Sequence, residues 1–145
     1  PQSLDYQLSL LKENSGSRKL VTVFGCGGDK SIEKRSMMGE IATRISDHVI
    51  LTNDNPRKED PRRIILDIID GIEDLSSTEV CLDREEAIKR ALSTFNSSII
   101  LIAGKGAEET MIMNDVEIPM MDFFTFEKWA IQNGFSVRGC FDYLD

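Results

Sequence analysis

Apolar positions along the chain switch between two periods, and the switches mark the elements. Leu20 to Phe24 is a short β-branched apolar run that ends in the turn Gly25-Cys26-Gly27-Gly28, the pattern of a buried strand. From Arg35 to Ser46 the spacing becomes helical, with Met38, Ile41, Ala42 and Ile45 on one face. His48 to Thr52 reads as a second buried strand. Asp60 followed by Pro61 suits the cap and first turn of a helix whose apolar face carries Ile64, Ile65, Ile68 and Ile72. Glu79 to Leu82 is a short third strand, and Asp83 with Glu86 forms a capping box for a helix bearing Ala87, Ile88, Ala91 and Leu92. Ser98 to Ala103 is the most apolar run, which predicts a fourth strand at the centre of the sheet. Thr110 to Ile118 predicts a small hairpin turning at Asn114-Asp115, and a last helix follows from about Phe123 to Gln132, with Gly134 just past its end. Leu4, Leu8 and Leu11 add a helix before the Asn14-Ser15-Gly16-Ser17 linker.

The order β-α-β-α-β-α-β predicts an α/β fold: a Rossmann-like, mainly parallel sheet with helices on both faces and a small C-terminal hairpin. A length of 145 residues fits one domain spanning 1–145. The apolar and charged fractions, 41% and 29%, are those of an ordinary globular chain. No apolar run approaches the ~20 residues that span a bilayer, and the first residues lack the basic and apolar regions of a secretory signal, so no membrane partner is expected. A net charge of -8 argues against nucleic acid, whose phosphates are gripped largely by Lys and Arg. A small molecule is the better expectation.

Cysteine and histidine chemistry changes little. Cys26, Cys81 and Cys140 form no CxxC pair, and the first two lie in strand-like surroundings that suit small buried thiols in a reducing compartment. His48 is the single histidine, so neither a zinc cluster nor a histidine-based triad is expected, and no catalytic or metal-binding residue is assigned.

In open α/β sheets ligands bind beyond the carboxyl ends of the strands, and three unusual loops fall there. The first, Gly25 to Arg35, combines clustered glycines with Lys30, Lys34 and Arg35 near a helix start, a setting suited to phosphate or carboxylate. It does not satisfy GxGxxG, because Lys30 occupies the third glycine position, and a tight turn with a solvated basic stretch accounts for it equally well. The second, Asn53 to Asp60, is more specific. Asn55 precedes a proline and is pushed towards extended geometry, Pro56 stiffens the turn, and Arg57 projects as a planar fork that matches a carboxylate. Asp54 and Asn55 supply acceptors for an ammonium group. The competing reading is an Asx turn that leads into the Asp60 cap, which needs neither the arginine nor both acceptors. The third loop, Gly104-Lys105-Gly106-Ala107-Glu108-Glu109, lacks the features of a Walker A loop, and a plain Gly-Lys-Gly turn explains it as well as a site does. Together the loops predict a cleft rimmed by Lys30, Arg57 and Lys105 on the positive side and by Asp54 and Glu108 on the negative, a mixture that suits a zwitterionic amino acid. A triphosphate loop and a nucleophile paired with a base are both missing, as in half of an active site.

These residues resemble a known family. Val-Phe-Gly-Cys-Gly-Gly-Asp (23–29) with Lys34-Arg35, then Asp54-Asn55-Pro56-Arg57, then Ala-Gly-Lys-Gly (103–106) with Glu108, are similar in order and spacing to the C-terminal, amino-acid-binding domain of the Mur ligases. Leu82-Asp83-Arg84 with Ala87-Ile88 fits as well, so the resemblance covers nearly the whole chain. Within the family, the arginine of Asp-Asn-Pro-Arg is associated with members that add meso-diaminopimelate, whereas lysine-adding members vary that position.

The resemblance implies a bacterial, cytoplasmic, ATP-dependent amide ligase of peptidoglycan synthesis, active when full length. Its partners would be meso-diaminopimelate, UDP-MurNAc-L-Ala-D-Glu and ATP with Mg2+, and the glutamyl carboxylate would be activated as an acyl phosphate before an amine of diaminopimelate attacks it. Carried over by motif, the amino acid would contact Lys30, Asp54, Asn55, Pro56, Arg57, Gly104 and Glu108, while Lys34 and Arg35 would lie towards the ATP phosphates. Two positions depart from the pattern. Lys30 stands where diaminopimelate-adding members usually carry arginine, which turns a two-pronged carboxylate grip into a point-charge contact, and Ala107 replaces a histidine. Pro1-Gln2-Ser3-Leu4 is similar to the start of the third domain of the family, so the N-terminal UDP-substrate domain and the central ATPase domain are expected to be absent from this chain, which by itself would bind no cofactor and catalyse no ligation. Two other readings stay open at this level: a stand-alone binding module for an amino acid or nucleotide, and the C-terminal domain of another Mur or folylpolyglutamate ligase.

Overall fold

The computed structural model describes residues 1–29, 31–105 and 108–136. Its elements in chain order are α1 (Gln2–Glu13), β1 (Leu20–Phe24), α2 (Ile32–Ile45), β2 (His48–Leu51), α3 (Pro61–Ile69), β3 (Thr78–Val80), α4 (Arg84–Thr94), β4 (Ile99–Ile102), β5 (Thr110–Met113), β6 (Val116–Pro119) and α5 (Asp122–Gln132). Four parallel strands form one sheet in the order β3-β2-β1-β4, and β5 and β6 form an antiparallel hairpin apart from it. The expected α/β class, the helices on both faces and the hairpin are all present.

Strand alternation decides which helices cover which face, because successive side chains point to opposite sides. Leu20, Phe24, Val49 and Leu51 share a core with Leu4 and Leu8 of α1, Ala42 of α2 and Ile64, Ile65 and Ile68 of α3. Val23 and Ile50 point the other way, into a second core with Ala87, Ile88, Ala91 and Leu92 of α4, against which Phe126 and Trp129 of α5 pack. Local chemistry starts the helices as the sequence predicts. Asp60 accepts from the Arg62 amide with Pro61 in the first turn, and Asp83 accepts from the Glu86 amide. Ser31 caps α2 in the same way, so that helix begins three residues earlier than the spacing of Arg35 to Ser46 suggests.

One expectation fails. The most apolar strand, β4, lies at the edge of the sheet, and β1 and β2 are central. The reason is visible in its neighbours: Ile99 and Leu101 pack on the α1–α3 core while Ile100 and Ile102 pack on the α4–α5 core. Two covered faces demand apolar residues at every position, whether or not both strand edges are paired. Among the described residues, no helix is long and apolar enough to cross a membrane.

Candidate functional site

The loops after β1, β2 and β4 converge beyond the carboxyl ends of the strands, where the chain order around β1 switches direction. The loop after β1 is seated on the loop after β2 by backbone contact. Gly28 donates its amide to the Asn55 carbonyl at 2.7 Å, and a Cβ at Gly28 would lie 2.2 Å from the Pro56 carbonyl oxygen, so only glycine permits the approach. The next residue, Asp29, has φ 60 and donates its amide to Glu59 at 2.6 Å.

Behind this contact lies Arg35, only 2% exposed. Its guanidinium donates twice to Glu59 at 2.8 Å, once to Asp67 at 2.8 Å and once to the Gly27 carbonyl at 3.2 Å. The hydrogen bonds to Glu59 lead the causes that hold the guanidinium even more firmly protonated than usual, and the same bonds lower the Glu59 carboxyl below its ordinary range. The neighbouring Lys34 is exposed. Both residues line a cleft of about 310 Å³ with Gly25, Cys26, Gly27, Asp54 and Gly104. Cys26 is buried there, its thiol against the Met38 sulfur.

The Asp54-Asn55-Pro56-Arg57 turn forms the second wall. Arg57 has φ 56, a left-handed conformation that non-glycine side chains seldom adopt and that concentrates at functional sites. It is imposed by the hairpin: the Arg57 amide donates to the Ile112 carbonyl at 3.0 Å and the Arg57 carbonyl accepts from Asn114 at 2.6 Å. The turn is thereby locked to β5 while the guanidinium stays half exposed, 3.9 Å from the exposed Asp29 carboxylate. Asn114 and Asp115, both at positive φ, make the tight hairpin turn that the sequence predicts. Pro56 is buried beneath.

Asn55 joins this wall to the third. Its side-chain oxygen accepts from the Ile112 amide at 2.9 Å, and its amide nitrogen donates to Glu108 at 2.9 Å. That bond, with the charges of Lys105 and Arg57, lowers the Glu108 carboxyl below its usual range, so an exposed carboxylate stands ready for a cation. Asp54 behaves in the opposite way. Burial raises its carboxyl, Arg84 and Lys105 only partly offset that, and its Oδ1 is buried without a hydrogen-bond partner. Its Oδ2 would come within 2.8 Å of a Cβ at Gly104, and Gly104 has φ 112, a backbone conformation that favours glycine. Lys105 corrects the sequence-based picture of a rim cation: it is 2% exposed and its ammonium is held by the Thr110 carbonyl and by Glu108.

Asp54, Asn55, Pro56, Arg57, Gly104 and Glu108 are therefore brought together, with Lys34 and Arg35 on the adjoining wall. Lys30 and Ala107 lie outside the described residues, as do Gly106 and Cys140. Sequence reasoning gave no site role to Arg84, Glu59, Asp67 or Asp122: Glu59 and Asp67 hold Arg35, and Arg84 joins Asp122 to the Asn53 and Ala103 carbonyls. A signal for the arginines was present: Arg84 falls on the apolar stripe of Ala87, Ile88 and Ala91, as Arg35 does with Met38 and Ala42, and a charge on a buried stripe needs partners. A roomier cleft of about 440 Å³ runs beside β4, but Ile100, Ile102, Phe126, Trp129 and Phe135 make it apolar and no charged group lines it. No group of three or more metal-ligating side chains occurs among the described residues.

Residues 1–106 match the family described as Mur ligase, glutamate ligase domain. The chain is 46% identical over 124 residues to the UDP-N-acetylmuramoyl-L-alanyl-D-glutamate--2,6-diaminopimelate ligase of Rickettsia felis, a match that covers 84% of this chain and 23% of that protein. It is 49% identical over 105 residues to the ligase of the same name from Prochlorococcus marinus subsp. pastoris, covering 72% of this chain and 20% of that one. A solved structure of a ligase of this name matches with a TM-score of 0.86 at 37% identity, covering 94% of this chain and 28% of the other. The chain thus spans roughly a quarter of the length of the relatives that it matches. Motifs, fold and comparisons agree, and the chain belongs to the Mur ligase family.

Proposed function

We propose that this chain is the amino-acid-binding, C-terminal domain of an ATP-dependent ligase that joins meso-diaminopimelate to UDP-MurNAc-L-Ala-D-Glu in peptidoglycan synthesis. The observation that carries this reading is the pairing of opposite charges across one short turn: a half-exposed Arg57 held at φ 56 on one side, and Glu108 with the half-buried Asp54 on the other. The Arg57 fork takes the distal carboxylate of the amino acid. Glu108, kept ionised by Asn55, accepts the ammonium beside that carboxylate, and Gly104 lets the ligand approach the main chain. Asp54, half-buried beside Gly104, adds a second carboxylate for the same ammonium. Lys30 supplies a further positive charge.

The chain's part in the reaction is then to orient one amine of diaminopimelate as nucleophile, since holding reactants in line is a large share of catalysis. ATP, bound with Mg2+ chiefly by the central domain, supplies the phosphoryl group that activates the glutamyl carboxylate. Lys34, on the exposed side of the Gly25–Gly27 cleft, faces the ATP phosphates, and Arg35 holds the wall behind it. The similarity to ligases of this name, of whose length this chain spans roughly a quarter, supports reading it as one domain of a bacterial ligase.

Steady-state turnover of the full-length ligase with meso-diaminopimelate and with L-lysine tests this function. A kcat/KM for diaminopimelate at least ~100-fold above that for lysine is expected, because a site built around a carboxylate rejects an analogue that leaves its arginine unpaired. Equal use of lysine overturns the substrate. Turnover by the purified chain alone, given ATP and both substrates, overturns the domain assignment.

A further inference from the structure

We infer that Arg84 is a positioning residue for the amino-acid site, setting the distance between the turn that carries Asp54 to Arg57 and the loop that carries Gly104 to Glu108. The inference rests on the proposed amino-acid site and adds a residue that touches no ligand.

Arg84 opens α4 and its side chain is 0% exposed. A cation in the first turn of a helix faces the positive end of the helix dipole, so the position is unfavourable unless something else holds it. Here Asp122, at the start of α5, holds it in two-pronged fashion, accepting from Nε and from Nη2 at 2.7 Å each. Two further bonds go to backbone carbonyls. Nη1 donates to Asn53 at 3.0 Å and Nη2 to Ala103 at 3.0 Å.

The identity of those carbonyls is what gives Arg84 a role beyond packing. The Asn53 carbonyl belongs to the peptide that leads into Asp54, and the Ala103 carbonyl to the peptide that leads into Gly104. One planar guanidinium therefore orients the peptide planes at the roots of both ligand loops. The two loops face each other closely, with the Asp54 carboxylate against Gly104 and the Asn55 amide on Glu108. A tilt of either root peptide moves the Asp54 and Glu108 carboxylates relative to each other and to Arg57. Asp122 carries the same restraint to α5, which ties the element after the hairpin to the site.

Lysine cannot reproduce this arrangement. Its donors radiate from one atom on a flexible stem, whereas the four bonds here need the fixed spread of a guanidinium. In the full-length ligase, Arg84→Lys should raise the KM for meso-diaminopimelate by about tenfold or more, with the KM for ATP and the kcat at saturating amino acid within about threefold of the parent. Asp122→Asn keeps the shape and one acceptor, and should raise the same KM by a smaller factor. Arg57→Ala is the control for the site itself. If Arg57→Ala raises the KM while folded Arg84→Lys and Asp122→Asn leave it unchanged, Arg84 is a core residue only and the inference fails. If Arg57→Ala also leaves it unchanged, the amino-acid site is wrong and the inference fails with it. Failure of both Arg84→Lys and Asp122→Asn to fold likewise assigns the pair to the core and overturns the positioning role.

Discussion

Arg35 and Arg57 face the same group of loops, yet the fold treats them in opposite ways. Arg35 is 2% exposed and spends both terminal nitrogens on Glu59, Asp67 and the Gly27 carbonyl. Arg57 is half exposed, its backbone is pinned in an unfavourable conformation by the hairpin, and among the described residues its guanidinium has only a 3.9 Å approach from an exposed aspartate. An arginine whose terminal nitrogens are both engaged builds a wall; one whose backbone is fixed and whose guanidinium is half exposed is held out to a ligand. Stability and binding should therefore separate cleanly between the two.

The largest effect is expected at the wall. Arg35→Met leaves Asp67, itself buried, without its main partner, and breaking a buried ion pair in this one-sided way costs about 3–5 kcal/mol. Chemical denaturation of the chain measures it, and a loss under ~1 kcal/mol would remove Arg35 from its structural role. The same variant should change the acid side of the stability curve. Glu59 has its carboxyl lowered by Arg35, so its contribution is complete above the unfolded value near ~4.3 and is lost as pH falls through the lower folded value. Without Arg35 that part of the acid slope should disappear.

Next comes the ligand side. Arg57→Ala in the full-length ligase should weaken use of meso-diaminopimelate by ~2–5 kcal/mol, seen as a sharp rise in KM or loss of turnover, with ATP binding little changed. Its folding stability should hold or improve slightly, since alanine keeps the strained backbone but no buried contact is lost. A stability loss as large as that of Arg35→Met would erase the contrast between the two arginines.

The smallest effect should carry the opposite sign. Burial raises the Asp54 carboxyl, so the folded state holds that proton more tightly than the unfolded chain. The stability this contributes is present below the unfolded value near ~3.9 and is lost as pH rises through the raised folded value. Asp54→Asn should therefore melt slightly higher than the parent at neutral pH, the gain vanishing in acid, while the amino-acid KM rises. A site that is strained when empty predicts that trade, and a neutral-pH destabilisation by Asp54→Asn would contradict it.

Much of this was legible in the residues alone. Strand and helix periods located the sheet and its helices, Asp60-Pro61 and Asp83 marked helix starts by their capping chemistry, and Asn114-Asp115 marked the hairpin turn. The turn of Asp54 to Arg57 stood out because no packing need explains its composition. What stayed hidden were relations between distant segments. The edge position of β4 depends on how two helix layers cover it, and an apolar run reports only that both faces are covered. The burial of Lys105 under Thr110 and Glu108 depends on where the hairpin folds back, and a lysine between glycines looks solvated until that is known. The ties of Arg35 to Glu59 and of Arg84 to Asp122 span 24 and 38 residues, beyond the reach of any local pattern.

The most direct test of the central claim is a crystal structure of the ligase with meso-diaminopimelate bound. The distal carboxylate should lie within hydrogen-bond distance of the Arg57 guanidinium, and the adjacent ammonium should fall between Glu108 and Asp54. A diaminopimelate molecule seated away from the turn of Asp54 to Arg57, with Arg57 still open to solvent, would contradict the account.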